Sequence, residues 1–272
     1  MGRIVIKDDL SDPMVAEVIM DEIFRFVRHD YNLRQATRVV STGDALDVKI
    51  PLIVQDVEGY RNVGELQETP LSAQRYDFLA RELHKNVTHL ALSKESMSSS
   101  KVDIMRWHIE GAAKDINRME NLDIVDVINN DITQQAGNDW SNNANDPFAD
   151  IMAAAEVVRG AGYDPDQMWL ARDSYHALLA NSNIVDRFER GATVAADLGS
   201  IAGFKIYMDN ELTGGTATFI DSTEPTMMLF DGPEWIYDYV EPRAFFEGYI
   251  IADFLHVEAT QPNAGLTLTG LA

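Results

Sequence analysis

The apolar positions change period several times along the chain, and each change marks an element. In "PMVAEVIMDEIFRFVR" (13–28), Val15, Val18, Ile19, Ile23, Phe26 and Val27 recur at helical spacing just after Pro13, which predicts an amphipathic helix. Its polar face carries Glu17, Asp21 and Glu22, the wrong sign for an anionic lipid surface. A neighbouring protein surface is therefore its expected partner. From Val48 the period drops to two: Val48, Ile50, Leu52 and Val54 alternate. Glu58-Gly59 and Asn62 to Gly64 mark turns, and alternation resumes from Tyr76 to Leu92. The segment reads as a long hairpin whose tip, 55–75, is too polar to form a core of its own. Two-stranded ribbons are marginal alone in water, so the tip is expected to lie on another subunit.

Ser100, with Asp103 three residues later, has the form of a capping box. Beyond it, Val102, Met105, Ile109, Ala112, Ile116 and Met119 recur at steps of three and four, and Val127 and Ile128 extend the stripe. A helix over 101–130 would run about 45 Å, with Trp107 off the stripe. Too few heptads continue outside this window for a coiled coil; a single helix laid across a sheet fits better. "QQAGNDWSNNANDPFAD" then breaks the pattern and is the clearest internal boundary. After it come a helix at 147–160, a strand "QMWLA", a helix "RDSYHALLAN", the glycine-containing "LGSIAGFKIYMDNEL" and a strand "ATFID". This alternation suggests a compact α/β or α+β unit of about 80 residues. From Thr226 the chain is strand-like: "TMMLFD", "EWIYDYVEP", "AFFEGYIIADFLHVEAT" and "GLTLTG".

Composition narrows the function classes. With 272 residues and 46% hydrophobic content, the chain has ample material for a core. It has no cysteine, which removes disulfides, thiol catalysis and cysteine-based metal sites. No run approaches the roughly 18 apolar residues of a membrane span, and "MGRIVIKDDLSDP" lacks a signal-peptide core. The expected place of work is the cytoplasm where the chain is made, with no membrane partner. The net charge of −22, from 44 acidic against 22 basic residues, repels phosphate and argues against sequence-specific DNA binding. An acid-rich, lysine-poor chain is also what concentrated salt favours, where screening shortens self-repulsion to about 3 Å at 1 M.

Candidate chemistry is sparse. The six histidines fall in no catalytic constellation, and no HExxH, GxSxG, P-loop or GxGxxG pattern occurs. No catalytic, cofactor-binding or metal residues are predicted. From Asp139, "DWSNNANDPFAD" places oxygen side chains like a calcium loop, but Ala144 stands where glycine is needed and Asp150 where glutamate is usual. A polar loop with Asp146-Pro147 starting a helix is the better reading.

The order of elements resembles the major capsid protein of tailed viruses, the Hong Kong 97 fold. "VGELQETPLSAQRYDFLARELHKNVTHLALSKESM" (63–97) is similar to that family's extended loop returning as a strand before the spine helix. "AGYDPDQMWLARDSYHALLAN", followed by "LGSIAGFKIYMDNEL", resembles its axial domain. "ATFIDSTEPTMMLFDGPEWIYDYVEP" resembles its peripheral strands. The resemblance implies an α+β fold with an N-terminal arm (1–45), an extended loop (46–76), a peripheral domain with the spine helix (77–148 and 226–255) and an axial domain (149–225 and 256–272). It implies a structural protein, not an enzyme, that assembles with itself into hexamers and pentamers of an icosahedral shell around double-stranded DNA. Portal, scaffolding, protease and decoration proteins would be further partners, and the virion its location. Arg61, Glu65, Glu68 and Arg75 on the loop would make inter-subunit contacts. No lysine lies between Gln55 and Arg75, so the Lys–Asn isopeptide bond of some members is not expected from this arm. With about 30 residues before the body, any scaffold is expected to be a separate protein. An encapsulin shell that packages enzymes shares the fold and stays open as the alternative; an ordinary acidic hydrolase is the reading from a different class.

Overall fold

The computed structural model describes residues 33–55, 75–93, 104–189, 200–223, 226–241 and 246–272. The helix expected at 13–28, the hairpin tip and the Ser100/Asp103 cap lie outside the described residues.

Two sheets and one long helix organise the chain. After a short 3-10 turn (Leu33–Ala36) come strands β1 (Arg38–Ser41), β2 (Asp47–Gln55), β3 (Arg75–Glu82) and β4 (His84–Ser93). The spine helix α1 (Ile104–Asn130) and strand β5 (Thr133–Ala136) follow. Next are α2 (Pro147–Gly160), β6 (Gln167–Ala171), α3 (Arg172–Ala180), α4 (Ser182–Glu189), β7 (Ser200–Ile201), β8 (Phe204–Asp209) and β9 (Thr216–Ile220). β10 (Met227–Glu241), β11 (Phe246–Ala259) and β12 (Gly265–Thr269) complete the chain.

A four-stranded sheet has the order β1-β10-β11-β4, and a six-stranded sheet the order β5-β12-β9-β6-β8-β7. β2 and β3 form a separate antiparallel ribbon, Asp47 opposite Glu82 and Ile53 opposite Tyr76. The first part of the second alternating segment, β3, pairs with β2 as the predicted hairpin, whereas its remainder, β4, leaves the ribbon to pair with β11 in the four-stranded sheet. "TMMLFD" and "EWIYDYVEP" are one strand rather than two, interrupted by a register shift between Asp231 and Glu234. Gly232 and Pro233 occupy the shift; proline has no N–H to give a ladder, so the strand bulges there instead of ending.

The spine helix follows its stripe. Ile109, Ala112, Ile116, Ile124 and Ile128 are buried, whereas Trp107 is 63% exposed. The buried side packs on β4 and β11. Its C-terminal half joins Leu33, Leu229, Leu255 and Val257 with Trp169 and Ile220 in a core that connects the two sheets. A separate core of the six-stranded sheet surrounds Trp140, Met168, Leu170, Phe204, Phe219 and Leu268 with α2 and α3. Asp146 caps α2, accepting from the Phe148 N–H at 3.1 Å, with Pro147 in the first turn. The Asp150 carboxylate accepts from Trp140 Nε1 at 3.0 Å and Asn138 Nδ2 at 2.7 Å. Asp139 accepts from the Ser141 N–H and hydroxyl. The loop's oxygens are thus engaged in holding the turn and the helix start. Between β7 and β8 the chain reverses on Ala202 and Gly203, both at positive φ (54° and 93°), the two-residue turn whose twist matches a hairpin.

Candidate assembly interface

Among the described residues, the hairpin meets its own subunit at its base. Ile50 and Leu83 are buried in a cluster with Phe230, Ala252 and Phe254, and Val48 and Leu79 pack against it. Alternation puts Val48 and Ile50 on one face of the ribbon, and in register with them stand Arg81 and Leu79. Arg81 extends the same contact: Nε donates to Glu258 Oε2 at 2.9 Å and Nη2 to Glu258 Oε1 at 3.3 Å. His256 Nε2 pairs with Glu258 Oε2 at 2.9 Å. Burial alone would raise the Glu258 carboxyl, but the hydrogen bonds from Arg81 and His256 outweigh it and hold it below its ordinary value.

The opposite face of the ribbon is exposed at its described residue Phe78. Phe78, in register with Pro51, is 65% exposed. A second apolar surface lies on the face of the four-stranded sheet that the hairpin base partly covers. Trp235 and Tyr237 stand opposite Ala252 and Ile250 on that face, 36% and 46% exposed. The Trp235 ring is 4.5 Å from Phe254, and Lys85 Nζ lies 5.9 Å from the Tyr237 ring centre and 5.8 Å from that of Phe254.

Of the four loop residues predicted to make contacts, Arg61, Glu65 and Glu68 lie outside the described residues. Arg75 opens β3 opposite Gln55. Phe78, Trp235 and Tyr237 were not among those expected. Phe78 neighbours Leu79, which packs on the cluster, so the two-residue period of β3 turns it to the other face.

Beneath the sheet, on the spine side, four charged groups meet. Arg34 Nη1 donates to Glu120 Oε2 at 3.0 Å and Nη2 to Asp231 Oδ2. Glu120, on the buried stripe of α1, is 0% exposed and Asp253 on β11 is 3% exposed. Burial pushes Glu120 upward, and the pull of Arg34 does not fully offset it. Burial, then the negative charges of Asp231 and Glu120, raise Asp253 to about 7. For Arg34, burial works to lower the value, and the two carboxylates outweigh it and raise it. Among the described residues no group of histidine, aspartate and glutamate side chains has the arrangement of a metal site, and no helix is long and apolar enough to cross a membrane.

The model of one protein family, phage capsid protein, matches residues 90–261. No curated protein matches the sequence. Among solved structures, the virus-like particle from Pyrococcus furiosus superposes with a TM-score of 0.64 at 11% identity, covering 93% of this chain and 98% of that one. The capsid of the native GTA particle gives 0.69 at 12% identity over 89% and 90%. The Mycobacterium phage Che8 structure gives 0.62 at 11% identity over 83% and 85%. At such identities the likeness is one of fold, the Hong Kong 97-like arrangement of hairpin, spine helix and two sheets. With the family model spanning well over half of its length, the chain belongs to the phage capsid protein family.

Proposed function

We propose that the chain is the building block of a closed icosahedral shell, arranged as hexamers and pentamers around double-stranded DNA. The four-stranded sheet with α1 would be the peripheral domain, the six-stranded sheet with α2 and α3 the axial domain. The observation that carries the reading is the hairpin: its base is fastened to its own sheet, while its other face presents Phe78 to solvent. A ribbon that cannot bury itself is stable when a neighbouring subunit covers it. Arg61, Glu65, Glu68 and Arg75 would contribute polar contacts along that arm. The role is structural rather than catalytic. A wall carrying −22 per subunit would enclose DNA without adhering to it, and portal, scaffolding, protease and decoration proteins would act at other stages of assembly in the host cytoplasm.

Electron microscopy of the purified chain, with nuclease-protected nucleic acid measured on the same particles from infected cells, tests this. Closed shells holding DNA are the expected result. Particles that enclose protein cargo instead would mark an encapsulin, and a chain that stays monomeric at high concentration would overturn the reading.

A further inference from the structure

The buried charge cluster beneath the β10 bulge takes no part in the surfaces above, yet it joins four elements. Arg34 comes from the turn that precedes β1, Glu120 from α1, Asp231 from β10 and Asp253 from β11. The same turn is held a second time by the Leu33 N–H donating to Asn121 Oδ1 at 3.1 Å. Three carboxylates therefore share one guanidinium. Arg34 bonds two of them, Glu120 and Asp231. Asp253 Oδ1 and Glu120 Oε1 are fully buried and receive no hydrogen bond.

An ionised carboxylate without a partner in such a place is expensive, and the group neutralises instead. The other charges nearest Asp253 are of its own sign apart from Arg34: Asp231 and Glu234 from β10 and Glu120 from α1. Asp123, also on α1, adds to the negative charge on Glu120. β4 contributes Asn86, in register with Asp253 and donating to Asp123 Oδ2 at 3.0 Å, which is neutral. His256, three residues along β11, projects from the opposite face.

We propose that Asp253 is a proton-binding site that locks the 33–41 segment onto the spine helix. With the proton in place, the Arg34 guanidinium is shared by two anions and the joint is closed. When Asp253 releases the proton to water, a third buried negative charge competes for the same guanidinium, and the turn carrying Arg34 loosens. The carboxyl is raised in the folded state, toward about 7. Its stabilisation is thus complete below the unfolded value near 4 and disappears as pH rises through the folded value. The lock belongs to the single subunit and holds whether or not the chain closes shells.

Amide hydrogen exchange of the full chain at about pH 6 and about pH 8.5, corrected for the intrinsic chemical rate, tests it. Protection of 33–41 should fall roughly tenfold or more at the higher pH, since each unit above the folded pKa is a factor of ten, while α2 stays unchanged. Asp253→Asn, which keeps the shape of the protonated acid, should abolish the difference. Equal wild-type protection at both pH values would overturn the proposal, as would a loss spread evenly over all elements, and either result is readable even if the variant fails to fold. A folded Asp253→Asn chain that retains the pH effect would do the same. Restoration at the higher pH by calcium or magnesium but not potassium would make the cluster a cation site and overturn the proton assignment.

Discussion

Arg81 and Glu258, 177 residues apart in sequence, form a two-point ion pair that ties the returning strand of the hairpin to β11. The pair lies beside the apolar contact at the hairpin base and is partly exposed, so it adds little to the subunit's stability. Arg81→Met should destabilise the subunit only slightly, as exposed ion pairs contribute little. Because Glu258 is held below its ordinary value, the contribution is present above the unfolded carboxylate range and lost as pH falls through the folded value. Denaturation midpoints of the wild type and variant should differ at about pH 7 and converge in acid, once Glu258 is protonated in the folded state as well.

Phe78 is exposed in the subunit, so Phe78→Asp should leave the far-ultraviolet circular dichroism and thermal midpoint unchanged. Particle formation should drop sharply in sedimentation, because a charge would then lie in the contact with the neighbour. Deleting 56–74 should have the same outcome; intact shells from either variant would exclude the hairpin as the assembly arm.

Ile116 is fully buried on α1, and Asp115 beside it is exposed. Ile116→Asp should abolish soluble folded protein, by placing an unpaired carboxylate in the core at a cost of several kcal/mol. Asp115→Asn should give wild-type yield, as read from the soluble fraction on expression.

Gly248 on β11 stands opposite Ala91 of β4, with no room for a side chain. A Cβ at this position would stand 1.7 Å from the Leu90 carbonyl oxygen, a backbone atom that cannot turn aside. Gly248→Ala should therefore force the two strands apart and cost about 3 kcal/mol or more, measurable as a fall in the urea midpoint. Gly160→Ala, where nothing lies within 4 Å, is the matched control and should be near neutral or slightly stabilising.

With 44 acidic and 22 basic residues per chain, assembled particles should depend on salt. Repulsion between subunits weakens as the Debye length falls from about 10 Å at 0.1 M to about 3 Å at 1 M. Light scattering should show particles persisting in molar salt and dissociating on dialysis to low ionic strength. Particles indifferent to the change would remove any need to link the acidity to a saline environment.

Local periodicity was enough to read β2, β3, the spine helix and the helix at 147–160, because each shows its buried face as a repeat of two or of three to four residues. It was not enough for β1, β5 or α4, which are too short to repeat a buried face. The stripe Ile109, Ala112, Ile116, Ile128 names the side of α1 that meets the sheet before any partner is known. The same stripe contains Glu120, four residues from Ile116 and from Ile124, and the buried side of β11 contains Asp253 between Ile251 and Leu255. Those two breaks in pattern were visible in the sequence, but their meaning was not. Only the fold brings Arg34 and Asp231 to Glu120, across sequence separations of 86 and 197 residues from Arg34. Strand order is decided in the same way. Period two says which face of a strand is buried and nothing about its neighbour, so the parallel pairing of β1 with β10 and the bulge that keeps β10 in one piece came from tertiary packing alone.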